Sequence, residues 1–175
     1  MIHGWADVPD AGWLGWLAEK LSVQGFSVAA PHLLPNGMGS IDDWLKELTP
    51  LLSAMSEPKT IVAHSLGCWL AMRLLAEAEP GLKIDKLILV SGFTTLGGER
   101  AKHFLGSMPD WGLVRSHCCQ IICLYSDDDT IVTPDRTKRL ARFLSAELIC
   151  MPSHGHFLGS RGMNEFPELL NLMLD

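Results

Sequence analysis

Three short stretches carry side chains that could together do nucleophilic chemistry: Ala63-His64-Ser65-Leu66-Gly67, Ser126-Asp127-Asp128-Asp129 and Ser153-His154-Gly155-His156. A serine hydroxyl attacks poorly at neutral pH, so a base must take its proton and a third group must orient that base. A serine, a histidine and a carboxylate supply those parts, and the chemistry they allow is acyl transfer through a serine ester. Ser65 is the candidate nucleophile, because the small residues Ala63 and Gly67 stand two positions to either side of it. Such flanks let a helix lie close to the strand it has just left, with the middle side chain pushed outward on a sharp bend. The competing reading of Ser65 is an ordinary turn serine. His156 is the candidate base, since it follows Gly155 and precedes the apolar Phe157 in a loop after the last strand; His154 is the alternative. His64, beside the serine, reads as a packing or supporting residue. Asp129 is the candidate orienting acid, because Asp129-Thr130-Ile131-Val132-Thr133-Pro134 sets it just before a helix. Asp128 is the next candidate, and Asp127 faces solvent or caps the loop.

The elements that must position these residues alternate in type. Thr60 to Ala63 is a short, apolar, β-branched run that reads as a buried strand, and Cys68 to Glu77 favours helix. Further strands are expected at Phe26–Ala30, Lys86–Val90, Gln120–Tyr125 and Glu147–Met151, with the tail of another at Met1–His3. Helices are expected over Asp10–Leu21, where Trp13, Leu14, Leu17 and Leu21 recur at helical spacing, and from Ile41, with Ser40 as its cap. Pro35, Asn36, Gly37 and Gly39 make the loop before it, and Pro50 kinks that helix or splits it. Further helices fall near Trp111–Ser116, from Pro134 to about Leu144, and from about Asn164. Apolar strands alternating with helices mean an α/β fold, a three-layer α/β/α sandwich whose mostly parallel sheet has about six strands. Residues 1–175 form a single domain. The segment from Thr94 to Cys119 is too short for a lid domain. In such a sheet ligands sit beyond the carboxyl ends of the strands, where Ser65, the aspartate run and His154-Gly155-His156 all fall.

Several pieces carry a likeness to known proteins: Gly12-Trp13 through Trp16-Leu17, Pro31 with Leu34-Pro35-Asn36, Ala63-His64-Ser65-Leu66-Gly67, Leu89-Val90-Ser91-Gly92-Phe93, Asp129 with Ile131-Val132 and Pro134, and Gly155-His156-Phe157. With the chain order Ser, Asp, His, they resemble the small, lid-less α/β-hydrolases typified by the retinoblastoma-binding serine hydrolases and their bacterial relatives. The resemblance implies hydrolysis of carboxylic esters through an acyl-serine, with no cofactor and a small-molecule ester as partner. It also implies that the backbone N–H groups of Trp5, after His3-Gly4, and of Leu66 receive the oxyanion. A protein-binding module with little turnover, or a thioester or peptide-bond hydrolase, is the other use of the same fold. The family's strand before His-Gly is almost absent here, and its central place in the sheet creates an expectation of about four to eight further apolar residues before Met1. With no lid, the pocket is expected to be shallow, walled by Trp5, Phe93 and Phe157, and to favour short acyl chains.

Composition narrows the setting. The net charge is −6 and Lys and Arg are scattered, which argues against nucleic acid or an anionic membrane as partner. No apolar stretch approaches the roughly 20 residues that span a bilayer, and no basic-then-apolar leader precedes Gly4. A cytoplasmic protein is expected. The five cysteines, Cys68, Cys118, Cys119, Cys123 and Cys150, lack a CxxC pattern and read as buried reduced thiols. Cys118 or Cys119 with His154 and His156 is the one metal set these residue types suggest, and no metal is assigned.

Overall fold

The computed structural model describes residues 1–5, 8–10, 12–33, 41–55, 57, 59–95 and 104–174. Four strands, β1 (Thr60–His64), β2 (Ile84–Val90), β3 (Cys118–Tyr125) and β4 (Glu147–Cys150), form one sheet in the order β1-β2-β3-β4. Every neighbouring pair is parallel. Accompanying them among the described residues are the α-helices α1 (Gly12–Val23), α2 (Ile41–Ala54), α3 (Leu66–Ala76), α4 (Trp111–His117), α5 (Pro134–Leu144) and α6 (Pro167–Leu174), with a 3-10 turn at Gly159–Arg161.

The three layers follow from the two-residue period of the strands. Ile61, Ala63, Leu87, Leu89, Ile121 and Cys123 face one way and pack with residues of α2, α3, α4 and α5. Val62, Ile88, Val90, Ile122 and Leu124 face the other way and pack with Trp13, Leu14 and Leu17 of α1 and Leu169 of α6. Both faces are covered, so the strand centres are apolar at successive positions rather than alternating with polar ones.

Some boundaries differ from the sequence expectation. The segment 26–30 is not a strand, and the sheet has four strands among the described residues rather than about six. Strand character needs a ladder. Ile2 makes a single parallel bridge to Ala63, through Ile2 N–H to the Val62 carbonyl at 2.8 Å and His64 N–H to the Ile2 carbonyl at 3.0 Å. On its other side, the Met1 nitrogen donates to the Ala29 carbonyl at 2.6 Å. Pro50 lies inside an unsplit α2, whose buried Ile41, Trp44, Leu45, Leu48 and Leu52 hold it against the core. The last helix begins at Pro167 rather than Asn164, with proline suited to a first turn. Ser40 and the loop at 35–39 lie outside the described residues. No helix among the described residues is long and apolar enough to cross a membrane.

The tightest crossing is at Gly67. A Cβ there would lie 2.3 Å from the Ile2 carbonyl oxygen and 2.7 Å from that of His3, both backbone atoms. The amino-terminal segment can therefore pass over the start of α3 only because residue 67 has no side chain. Replacing Gly67 with Ala should cost about 1–3 kcal/mol or more, because backbone must move to admit the methyl. A urea denaturation midpoint measured beside the parent protein checks this, with a clear drop expected.

Candidate active site

Ser65 is the single residue between β1 and α3, with φ 51° and ψ −115°. Non-glycine residues rarely adopt a positive φ, and here the strained turn separates a strand from the helix that doubles back on it. Ser65 N–H donates to the Val90 carbonyl at 2.9 Å, which ties the bend to the neighbouring strand. Beneath it, the buried Cys68 thiol lies 3.2 Å from the Ala63 carbonyl and 3.3 Å from that of Val90, and burial pushes its pKa well up.

The three candidate groups meet. Ser65 Oγ lies 2.9 Å from His156 Nε2, and His156 Nδ1 lies 2.8 Å from Asp129 Oδ2. With the proton on Nδ1, the imidazole donates to the carboxylate and leaves Nε2 free to accept from the serine. Asp129 is only 3% exposed, and both its oxygens are occupied. Oδ1 accepts from the Ile131 and Val132 amides at 2.8 and 2.9 Å, and Oδ2 also accepts from the Ser91 hydroxyl at 2.8 Å. Burial alone would raise this carboxyl's pKa; the hydrogen bond and charge of His156, the Ser91 hydroxyl and the Ile131 amide outweigh it and hold the group below 3.8.

The neighbouring aspartates do different work. Asp128 Oδ1 accepts from Ser126 Oγ at 2.5 Å and from Gly155 N–H at 2.8 Å, and Asp127 Oδ1 accepts from Ser153 N–H at 2.8 Å. His154 N–H donates to Ser126 Oγ at 2.9 Å. The run 126–128 thus clamps the backbone of the histidine loop, and Asp127 caps it. The Ser126 hydroxyl, followed by the Gly155 amide, lowers the pKa of Asp128. Among the described residues, Ser65, Ser91, Ser153 and Phe157 account for all but Ser145 of the non-glycine residues with positive φ. Backbone strain is concentrated at this edge.

The other histidines lie elsewhere in the network. His154 packs its ring on Phe157 and Phe166, and its Nδ1 lies 2.8 Å from the Pro152 carbonyl. His64 is fully buried beneath His156, its Nε2 2.9 Å from the His156 carbonyl and the two ring centroids 5.0 Å apart. His3 Nε2 accepts from Leu33 N–H at 2.9 Å, so it fastens that segment. Leu66 heads α3, and Trp5 follows Gly4 on the segment laid over Gly67. Phe93 and Phe157 are 1% and 0% exposed, so they are core residues and not pocket walls; Trp5, at 55%, is open.

The metal set suggested by residue type does not assemble. Cys118 and Cys119 begin β3, at the end of the sheet opposite His154 and His156, and the described residues hold no group of three or more metal-ligating side chains. Of the cysteines, Cys68 and Cys123 are buried, Cys118 is half-buried, and Cys119 and Cys150 are exposed, which corrects the expectation of five buried thiols.

Ser91 is the residue that sequence reasoning passed over. Its signal was a polar residue at the carboxyl end of a strand, at the same edge as the others. Because Asp129 is held below 3.8, the stability it contributes is present above that value and is lost as pH falls through its folded pKa. Ser91→Ala removes one of the lowering contacts, so acid unfolding followed by circular dichroism should begin at a higher pH than in the parent.

A family model described as serine hydrolase matches residues 1–175, the whole chain. YdeN of Bacillus subtilis (strain 168), whose name gives it only as a candidate hydrolase, is 29% identical over 179 residues, covering 99% of this chain and 92% of YdeN. The crystal structure of the B. subtilis ydeN gene product aligns with TM-score 0.88 at 27% identity, over 99% of this chain and 94% of that one. A candidate hydrolase of the α/β superfamily from Xanthomonas campestris pv. campestris aligns with TM-score 0.71 at 20% identity, over 98% and 95% of the two chains. The strand-turn-helix at Ser65 and the parallel sheet beneath it therefore sit in an α/β-hydrolase fold, and the chain belongs to the serine hydrolase family.

Proposed function

We propose that this enzyme cleaves small carboxylic esters through an acyl-serine intermediate, with Ser65 as nucleophile, His156 as base and Asp129 as orienting acid. The observation that carries the reading is the unbroken relay Ser65 Oγ–His156 Nε2, His156 Nδ1–Asp129 Oδ2, at 2.9 and 2.8 Å. As Ser65 Oγ bonds to the ester carbonyl carbon, its proton passes to His156 Nε2 and the carbonyl electron pair moves onto oxygen. The Trp5 and Leu66 amides are the proposed donors to that oxyanion, Leu66 at the positive end of α3. Collapse expels the alcohol, which takes the proton from His156. Water then repeats the sequence on the acyl-serine, with His156 again as base, and releases the acid. Asp129 keeps the imidazole in the tautomer that accepts from serine and stabilises the imidazolium between the two proton transfers.

Two variants test the assignment. Ser65→Ala should abolish both fluorophosphonate labelling and ester turnover with little change in melting temperature, because the hydroxyl stands on a turn rather than in the core. Retained turnover would show that another group attacks. Asp129→Asn should lower kcat strongly, on the order of 10⁴-fold by analogy with serine proteases, since the amide can hold the imidazole in the wrong tautomer. A larger loss from Asp128→Asn would transfer the orienting role to Asp128.

A further inference from the structure

Three aromatic rings from three separate segments meet at one point. Trp5 and Phe104 stand edge to face at 5.4 Å and 85°, Trp44 and Phe104 at 6.0 Å and 82°, and Trp5 and Trp44 at 6.2 Å and 51°. Trp44 is buried and Phe104 half-buried, whereas Trp5 is 55% exposed, so the cluster opens outward at Trp5.

Its position follows from the contacts of the three segments that carry it. Trp5 lies two residues after His3, whose carbonyl abuts Gly67 at the start of α3. Phe104 precedes Leu105, whose carbonyl accepts from Trp69 Nε1, on the first turn of α3, at 3.0 Å. Trp44 stands in the first turn of α2, which packs beside α3. All three rings therefore gather around the amino end of the helix that Ser65 precedes. The segments that carry the cluster are also tied together. Arg73, 7% exposed, reaches the carbonyls of Leu105 and Ser107 at 3.3 Å each, Asp42 at 3.4 Å and Glu77 at 2.5 Å. It fastens the 105–107 segment and the start of α2 to α3.

Resting on the ester-hydrolase reading above, we propose that Trp5 and Phe104, backed by the buried Trp44, form a subsite for a planar, ring-bearing group of the ester substrate. Fixed aromatic walls favour a rigid ring, which pairs edge to face or offset with them and gives up little rotational freedom on binding. A flexible alkyl chain of similar length gives up more. The subsite thus selects for ring-bearing esters among small ones.

The test compares kcat/KM for methyl phenylacetate, with the ring on the acyl side, benzyl acetate, with the ring on the alcohol side, and methyl hexanoate. At least one ring ester should be preferred over methyl hexanoate by about tenfold, the size expected of one good ring contact. Phe104→Leu and Trp44→Leu, on different segments, should each cut that ratio several-fold and chiefly through KM. Fluorophosphonate labelling of Ser65 in each variant reports that the site is folded. No preference in the parent, or an unchanged ratio in both labelled variants, overturns the subsite while leaving the esterase reading intact. Absence of labelling and of all ester turnover in the parent overturns both.

Discussion

The architecture depends on one close approach, that of the Ile2 and His3 carbonyls to Gly67. A helix can leave a strand through a single residue only if its first turn finds room beside whatever runs next to that strand. Here the neighbour is backbone, and the absence of a side chain at residue 67 supplies the room. The same approach holds Ile2 beside Ala63 and closes α3 onto the sheet, with the Ile2 and His3 carbonyls against its first turn. Moving any one of these parts requires moving the others. The positive φ of Ser65 is tolerated because the surrounding packing leaves it no alternative.

The polar edge works on a different principle. Carboxylates there accept mainly from backbone amides and hydroxyls, so each is fixed in place by groups that belong to distant segments. Asp129 joins the end of β2, through Ser91, to the loop after β3 and to His156. Asp127 and Asp128 join the loop after β3 to the loop after β4. Side chains of one type thus take unlike roles according to which donors surround them. Below the edge, His64 supports the carbonyl of His156, and Trp13 Nε1 donates to that of Phe157 at 2.8 Å.

Much of this was readable from the chain alone, for physical reasons. The change from a β-branched run to helix formers across Ser65 is a local signal, and so is Pro134 at the head of α5, whose bounds agree with the expected ones. Serine, aspartate and histidine at strand ends were legible as types in a chain order. What was not legible depends on partners far along the sequence. Residues 26–30 have strand-like composition, but a strand is made by its ladder, and Met1 and Ile2 offer few rungs. Phe93 and Phe157 stand in loops, and only tertiary packing shows that they are buried. Ser91 stands in a matching stretch but nothing local marks its role, which lies in a carboxylate 38 residues away.

His156 hangs from the loop after β4, which has four residues and, among the described residues, pairs with β3 alone. That short edge strand is guarded against sticky contact with other chains by its brevity and by exposed Glu147. Brevity has a second effect, on heat resistance. Sheet edges and loops open at lower free energy than sheet centres. Warming should therefore detach the histidine loop while β1, β2 and β3 remain joined, and on the role proposed for His156 activity should fall some degrees before the core melts. Heat resistance of activity should on that ground follow the outermost described strand rather than the hydrophobic centre.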